Sequence, residues 1–112
     1  MRSNRTLKRL YRQYNKKFFN NKLPDIPVAF ASPSDLLKAG LGKKTCAVTL
    51  FDKGKPTAIY IKRYKRKEWP YIKADLLHEM AHVALPFRVN HGPRFQDEML
   101  RLAQAGAFKK IW

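Results

Sequence analysis

The sequence predicts an α+β domain, on three observations. Residues 5–20 place Leu7, Leu10, Tyr11, Tyr14 and Phe18 at helical spacing. Residues 46–51 and 57–62 are β-rich and flank the turn-forming segment Asp52-Lys53-Gly54-Lys55-Pro56. Helical patterns then return from Trp69 to about Leu85 and again from about His91. At 112 residues, 45% of them hydrophobic, the chain is long enough for one domain with a modest core, read as residues 1–112.

In the first helix the apolar stripe leaves the rest of the surface to Arg5, Lys8, Arg9, Arg12 and Lys16. That pattern is an amphipathic helix with a cationic outer face. Residues 1–22 hold no acid and resemble a transit peptide in composition, but so regular a stripe is expected to pack on a core. Asn20-Asn21 and then Leu23-Pro24-Asp25-Ile26-Pro27 end the helix. Val28-Ala29-Phe30 reads as a short strand. Residues 32–42 read as a turn, with one helical turn at 34–39 closed by Gly40.

The two β-rich runs are expected to form a hairpin, with Ile59 and Ile61 on one face of the second strand and Ala58 and Tyr60 on the other. Residues 63–68 form a basic loop. Pro70 is tolerated in the first turn of the next helix, whose stripe is Ile72, Leu76, Met80 and Val83 and which Pro86 ends. The last helix carries Phe95, Met99 and Leu102 and is expected to stop at Gly106. There are no repeats and no linker that would suggest a second domain.

The third pattern contains His78-Glu79-Met80-Ala81-His82, an HExxH motif. Histidines four apart lie one turn above each other on a helix, so both imidazoles can reach one metal ion. Glu79 sits on the adjacent flank, where it can hold a water on that metal and take its proton. The motif is short enough to occur by chance. Here it lies inside a helix-compatible run, with Leu76-Leu77 and Ala81, Val83 and Ala84 able to bury its back.

His91 follows His82 by nine residues, too far for the HExxHxxGxxH pattern. It reads either as a third ligand arriving from a separate element or as a helix-capping or surface histidine. Three imidazoles with an open fourth position favour zinc, one ion per chain. Asp75 reads as a first-turn helix charge in preference to an acceptor that orients a ligand; Asp97 and Glu98 are undecided on the residues alone.

Twenty-four Lys and Arg against eight Asp and Glu give a formal charge of +16. So large an excess on a small domain points to a polyanionic partner, nucleic acid first and a membrane surface second. No apolar run approaches a membrane span, and the single Cys46 excludes an intrachain disulfide and a cysteine zinc site. These features suit a cytoplasmic or DNA-associated protein rather than a secreted one. The candidate nucleic-acid contacts are Arg5, Lys8, Arg9 and Arg12 on the first helix and Lys62, Arg63, Tyr64, Lys65, Arg66 and Lys67 after the hairpin. The cations would neutralise phosphates and Tyr64 would stack on an unpaired base, while Trp69 is read as packed beneath the HExxH helix. Such contacts imply binding to DNA without sequence preference and with single-stranded character.

Leu77-His78-Glu79-Met80-Ala81-His82 followed by His91-Gly92-Pro93-Arg94-Phe95 resembles the SprT-like metallopeptidase family, which includes the Spartan DNA–protein crosslink proteases. Tyr14-Asn15-Lys16-Lys17-Phe18-Phe19, continuing to Leu23-Pro24, is similar to that family's first helix and the turn after it. The resemblance runs from about Leu7 to Ala107. It implies a zincin-like core: an N-terminal helix, a small three-stranded antiparallel sheet, the HExxH helix and a C-terminal helix. It also implies His78, His82 and His91 as zinc ligands and Glu79 as the catalytic acid/base. The implied activity is a zinc-dependent endopeptidase acting on DNA-associated or DNA-crosslinked proteins, expected here as a monomer.

Many relatives add a cysteine-rich zinc ribbon or further DNA- and partner-binding regions. This sequence shows neither, so recruitment to DNA is expected to come from the charge of the core itself. The alternative is a non-enzymatic basic DNA-binding module that keeps the fold for structure; a metal-dependent hydrolase of another bond, such as a nuclease, ranks third. Glu79 favours the enzyme, because a purely structural zinc needs no base beside an open position.

Overall fold

α1 (Asn4–Phe18) begins where the Ser3 hydroxyl accepts the backbone N–H of Thr6, an N-cap that satisfies one of the otherwise orphaned first-turn donors. The computed structural model describes residues 3–38, 40, 46–62, 69–85 and 91–109. In chain order the remaining elements are β1 (Val28–Ala31), α2 (Pro33–Lys38), β2 (Ala47–Asp52), β3 (Lys55–Lys62), α3 (Trp69–Ala84) and α4 (Pro93–Gln104). The α+β class is as the sequence predicts. No helix among the described residues is long and apolar enough to cross a membrane.

α1 ends because Asn20 and Asn21 both take left-handed backbone, with φ of 53° and 60°. Asn tolerates that region better than most residues, and two in a row turn the chain back along its own helix. The return segment is then tied to α1. Asn15 donates its Nδ2 to the Leu23 carbonyl (3.0 Å) and accepts the Leu23 N–H on Oδ1 (3.1 Å), and the Tyr11 hydroxyl donates to the Pro24 carbonyl (2.6 Å). Leu7, Tyr11 and Phe18 of the expected stripe are buried, with Leu10 and Tyr14 packed at its margin.

The sheet has the order β1-β3-β2. β2 and β3 form the expected hairpin, antiparallel, with Thr49 opposite Ile59 and an irregularity between Leu50 and Phe51. Its loop is tighter than the sequence suggests. Lys53 and Gly54 alone make the turn, both with positive φ (52° and 81°), as a two-residue type I′ connection requires. The antiparallel sheet implied by the resemblance is corrected: β1 pairs with the other side of β3 in parallel, Val28 opposite Ile59 and Phe30 opposite Ile61. The alternation of side chains is the same for either direction. Direction was set by the path through α2 and the hairpin, which brings the chain back to β1 only on its third strand.

α3 packs across β2 and β3 and against α4. Leu7, Tyr11, Ile59, Ile61, Ile72, Leu76, Leu77, Met80 and Leu102 are almost fully buried and form one core between α1, the sheet, α3 and α4. α4 closes on Gly106 (φ 89°), as expected: the Gly106 N–H donates to the Ala103 carbonyl (3.1 Å) and the Ala107 N–H to that of Leu102 (2.9 Å). This paired capping needs a left-handed residue at the turn, which glycine adopts without a Cβ clash. The expected stop at Pro86 and the basic loop 63–68 lie outside the described residues.

Candidate metal centre

α3 is buried over much of its surface, and one of its open flanks carries the histidines. His78 and His82 lie on that flank, one turn apart, with ring centroids 5.1 Å from each other. His91, exposed just ahead of α4, comes in from the other side: its Nε2 is 3.1 Å from the Nε2 of His78 and 3.1 Å from that of His82. Gly92 caps α4 and Pro93 fills its first turn, which needs no N–H donor. Gln96 then donates to the His91 carbonyl (3.2 Å) and fixes the backbone that presents the ring.

The donor set fits a metal. A single N–H at His91 Nε2 could be donated to only one of its two neighbours, so three converging ring nitrogens are not satisfied by hydrogen bonds alone. On one tetrahedral ion with Zn–N distances of about 2.0–2.1 Å, three nitrogens would lie about 3.3–3.4 Å from one another, close to the spacing seen. The three histidines could hold one metal ion and are compatible with zinc. Burial holds His78 below the usual histidine pKa, helped by His91 and opposed by Asp75. Burial, with His78 and His91 beside it, pushes His82 down to about 4. Neutral imidazoles with free lone pairs are the form a metal takes.

Phe95 is the floor of this cluster. It is 3% exposed and touches all three rings: stacked on His82 (4.5 Å between centroids) and edge-on to His78 (4.9 Å) and His91 (4.8 Å). The sequence marks Phe95 as part of an apolar stripe and of the segment that carries the family resemblance; its role as support for the histidines is visible only once α4 lies against α3.

Glu79 points inward. It is 6% exposed, and its Oε1 accepts the Thr49 hydroxyl of β2 at 2.9 Å, with the Glu79 carbonyl a second acceptor for that hydroxyl at 3.3 Å. Its other oxygen, Oε2, lies 3.9 Å from His78 Nε2. Burial raises its pKa to about 7, against the Thr49 hydrogen bond that lowers it. Thr49 has no signal in the sequence, being one β-branched residue in a β-rich run.

Residues 7–110 match the SprT-like family. The chain belongs to that family. No curated protein and no solved structure matches it. Membership is consistent with a metallopeptidase, and in this SprT-like chain three histidines are brought together, His78, His82 and His91 at one point, with Glu79 beside them.

The expected nucleic-acid contacts are less uniform. Arg5, Arg9 and Arg12 are exposed along α1. Lys8 is engaged within the fold, its ammonium donating to the Ile26 carbonyl and pairing with Asp25 at 2.6 Å. Lys62 is buried at the end of β3, at 9% exposure. Arg63, Tyr64, Lys65, Arg66 and Lys67 lie outside the described residues.

Proposed function

We propose that this SprT-like chain is a zinc-dependent endopeptidase with a zincin-like core, acting on proteins associated with or crosslinked to DNA. The single observation that carries the peptidase reading is the convergence of three Nε2 atoms at an open flank of a helix whose next residue is a buried glutamate. Held by His78, His82 and His91, zinc would polarise a peptide carbonyl and lower the pKa of water towards about 7.

The chain's own groups supply the rest. Thr49 ties down Oε1 of Glu79, which leaves Oε2 on the histidine side. There Glu79 takes the proton of the attacking water and passes it to the departing amine, so one carboxylate serves both steps. Phe95 holds the three rings in place against rotation. The water's oxygen ends in the new carboxylate and its two protons are shared between the products. The DNA-associated substrate is supported by the formal charge of +16 and by the exposed arginines of α1.

The test is elemental analysis of the purified protein beside a His91→Ala variant, together with cleavage of a DNA-bound protein. About one zinc per chain, greatly weakened in the variant and accompanied by cleavage, supports the reading. A folded wild-type protein that takes up no offered zinc removes the peptidase and leaves a basic DNA-binding module on the same fold.

A further inference from the structure

A trough runs along the back of α3, between it and α1. Its first part, a cavity of about 210 Å³, is lined by Thr6, Arg9, Leu10 and Gln13 of α1 and by Trp69 and Lys73 of α3. A second cavity of about 270 Å³ shares Gln13 and Lys73 and continues past Lys17 to Lys109. At 100° per residue, Trp69 and Lys73 lie about 180° and 140° round α3 from His78. The trough therefore opens on the side away from the histidines.

Its lining is unusual in two ways. Arg9, Lys17, Lys73 and Lys109 face it, and no acid lines it among the described residues. Like charges gathered without a carboxylate repel one another, and a polyanion relieves that repulsion. Between the cations the floor is apolar and aromatic, with Leu10 and Trp69 in the first cavity and Tyr14 and Phe18 in the second. Cations in a row meet repeated anions, and flat apolar surfaces between them meet flat rings. An unpaired nucleic-acid strand offers both, whereas a duplex hides its base faces in the stack. A bilayer surface cannot enter a concave trough, and inorganic phosphate has nothing to place on an indole.

We propose that this trough is a binding site for single-stranded nucleic acid, with Arg9, Lys17, Lys73 and Lys109 meeting phosphates and an unpaired base lying against Trp69 and Leu10. The inference rests on the nucleic-acid half of the function proposed above and is independent of the metal and of peptide cleavage. It assigns strand and protein substrate to opposite sides of α3, so that both can be held at once.

The experiment is anisotropy of a fluorescein-labelled oligothymidylate with the full chain over a salt series. An Arg9→Gln/Lys73→Gln variant is compared with Lys38→Gln/Lys55→Gln, which removes the same charge from exposed positions elsewhere. Each lost phosphate contact to a single strand is expected to lower the slope of log K against log salt by about 0.7, so by about 1.4 for the trough pair. The control pair is expected to keep the wild-type slope. Equal affinity and slope in the two variants would place the strand elsewhere and overturn the proposal while sparing the wider nucleic-acid reading.

In a Trp112→Phe background Trp69 is the single indole emitter. Its fluorescence is expected to be quenched by the oligonucleotide, and full emission at saturation also overturns the proposal. So does binding to phosphatidylserine vesicles that the trough variant alone loses, when no oligonucleotide is bound.

Discussion

α1 and α3 are almost the same length, 15 and 16 residues, and the fold uses them in opposite ways. α1 buries Leu7, Tyr11 and Phe18 and gives the rest of its surface to water and to cations. α3 buries Ile72, Leu76, Leu77, Glu79, Met80, Ala81 and Val83, and its partly open sides carry His78 and His82 on one flank and Trp69 and Lys73 on the other. The difference decides what a charged residue does on each. On α1 the exposed guanidinium groups keep their hydration and act at long range. On α3 desolvation acts on each ionisable group it reaches, raising Glu79 and lowering His78 and His82. One helix presents charge and the other modifies chemistry.

The largest expected effect that sharpens this contrast is Glu79→Gln. Removing a general base of this kind lowers turnover by roughly 10²–10⁴-fold, while zinc content and melting temperature should stay near the wild-type values. Undiminished cleavage of a DNA-bound protein by that variant would take Glu79 out of the mechanism. Next comes Leu76→Ala, at the centre of the buried side of α3. A cavity there should cost about 2–5 kcal/mol in denaturant unfolding, a large share of the stability of a small domain.

On α1 the expected effects are smaller. Burial pushes the Tyr11 hydroxyl up to about 12 from 10, with the charge of Asp25 adding to it, and burial alone does the same for Tyr14. A raised pKa means that the neutral phenol favours the fold. Its contribution is complete below pH 10 and is lost as the pH rises through 12. Tyr11→Phe removes the hydrogen bond to the Pro24 carbonyl and should cost about 1 kcal/mol at neutral pH. It should also flatten the fall in stability between pH 10 and 12, leaving Tyr14 as the remaining phenol of the pair. An unchanged alkaline slope would show that Tyr11 does not govern it.

The smallest effect is expected at Arg12, whose guanidinium is 3.9 Å from Asp25 with both side chains mostly exposed. Arg12→Gln should change the melting free energy by less than about 0.5 kcal/mol. A larger loss would mean that α1's outer face contributes to the fold as well as to charge.

Much of this molecule could be read locally. The helical spacing of Leu7, Tyr11 and Phe18, the hairpin about the Asp52-Lys53-Gly54-Lys55-Pro56 turn segment, the glycine stop at Gly106 and the HExxH pair all involve residues within a few positions of each other. Backbone geometry links such residues whatever the remainder of the chain does. The formal charge of +16 is likewise a property of composition alone.

Tertiary structure decided what depends on chain path. It turned β1 parallel to β3, against expectation, because alternation carries no direction. It brought His91 across 13 residues to His78, leaving the ligand reading in place of the capping one as the better fit to the geometry. Thr49 and Glu79, 30 residues apart, became hydrogen-bond partners, and Phe95 became the floor beneath three imidazoles. It also drew Lys8 back to Asp25 and placed Trp69 at a trough as well as against the core. Pairings of this kind are fixed by how buried surfaces of distant segments fit together, and a sequence holds that information only in the sum of all its contacts.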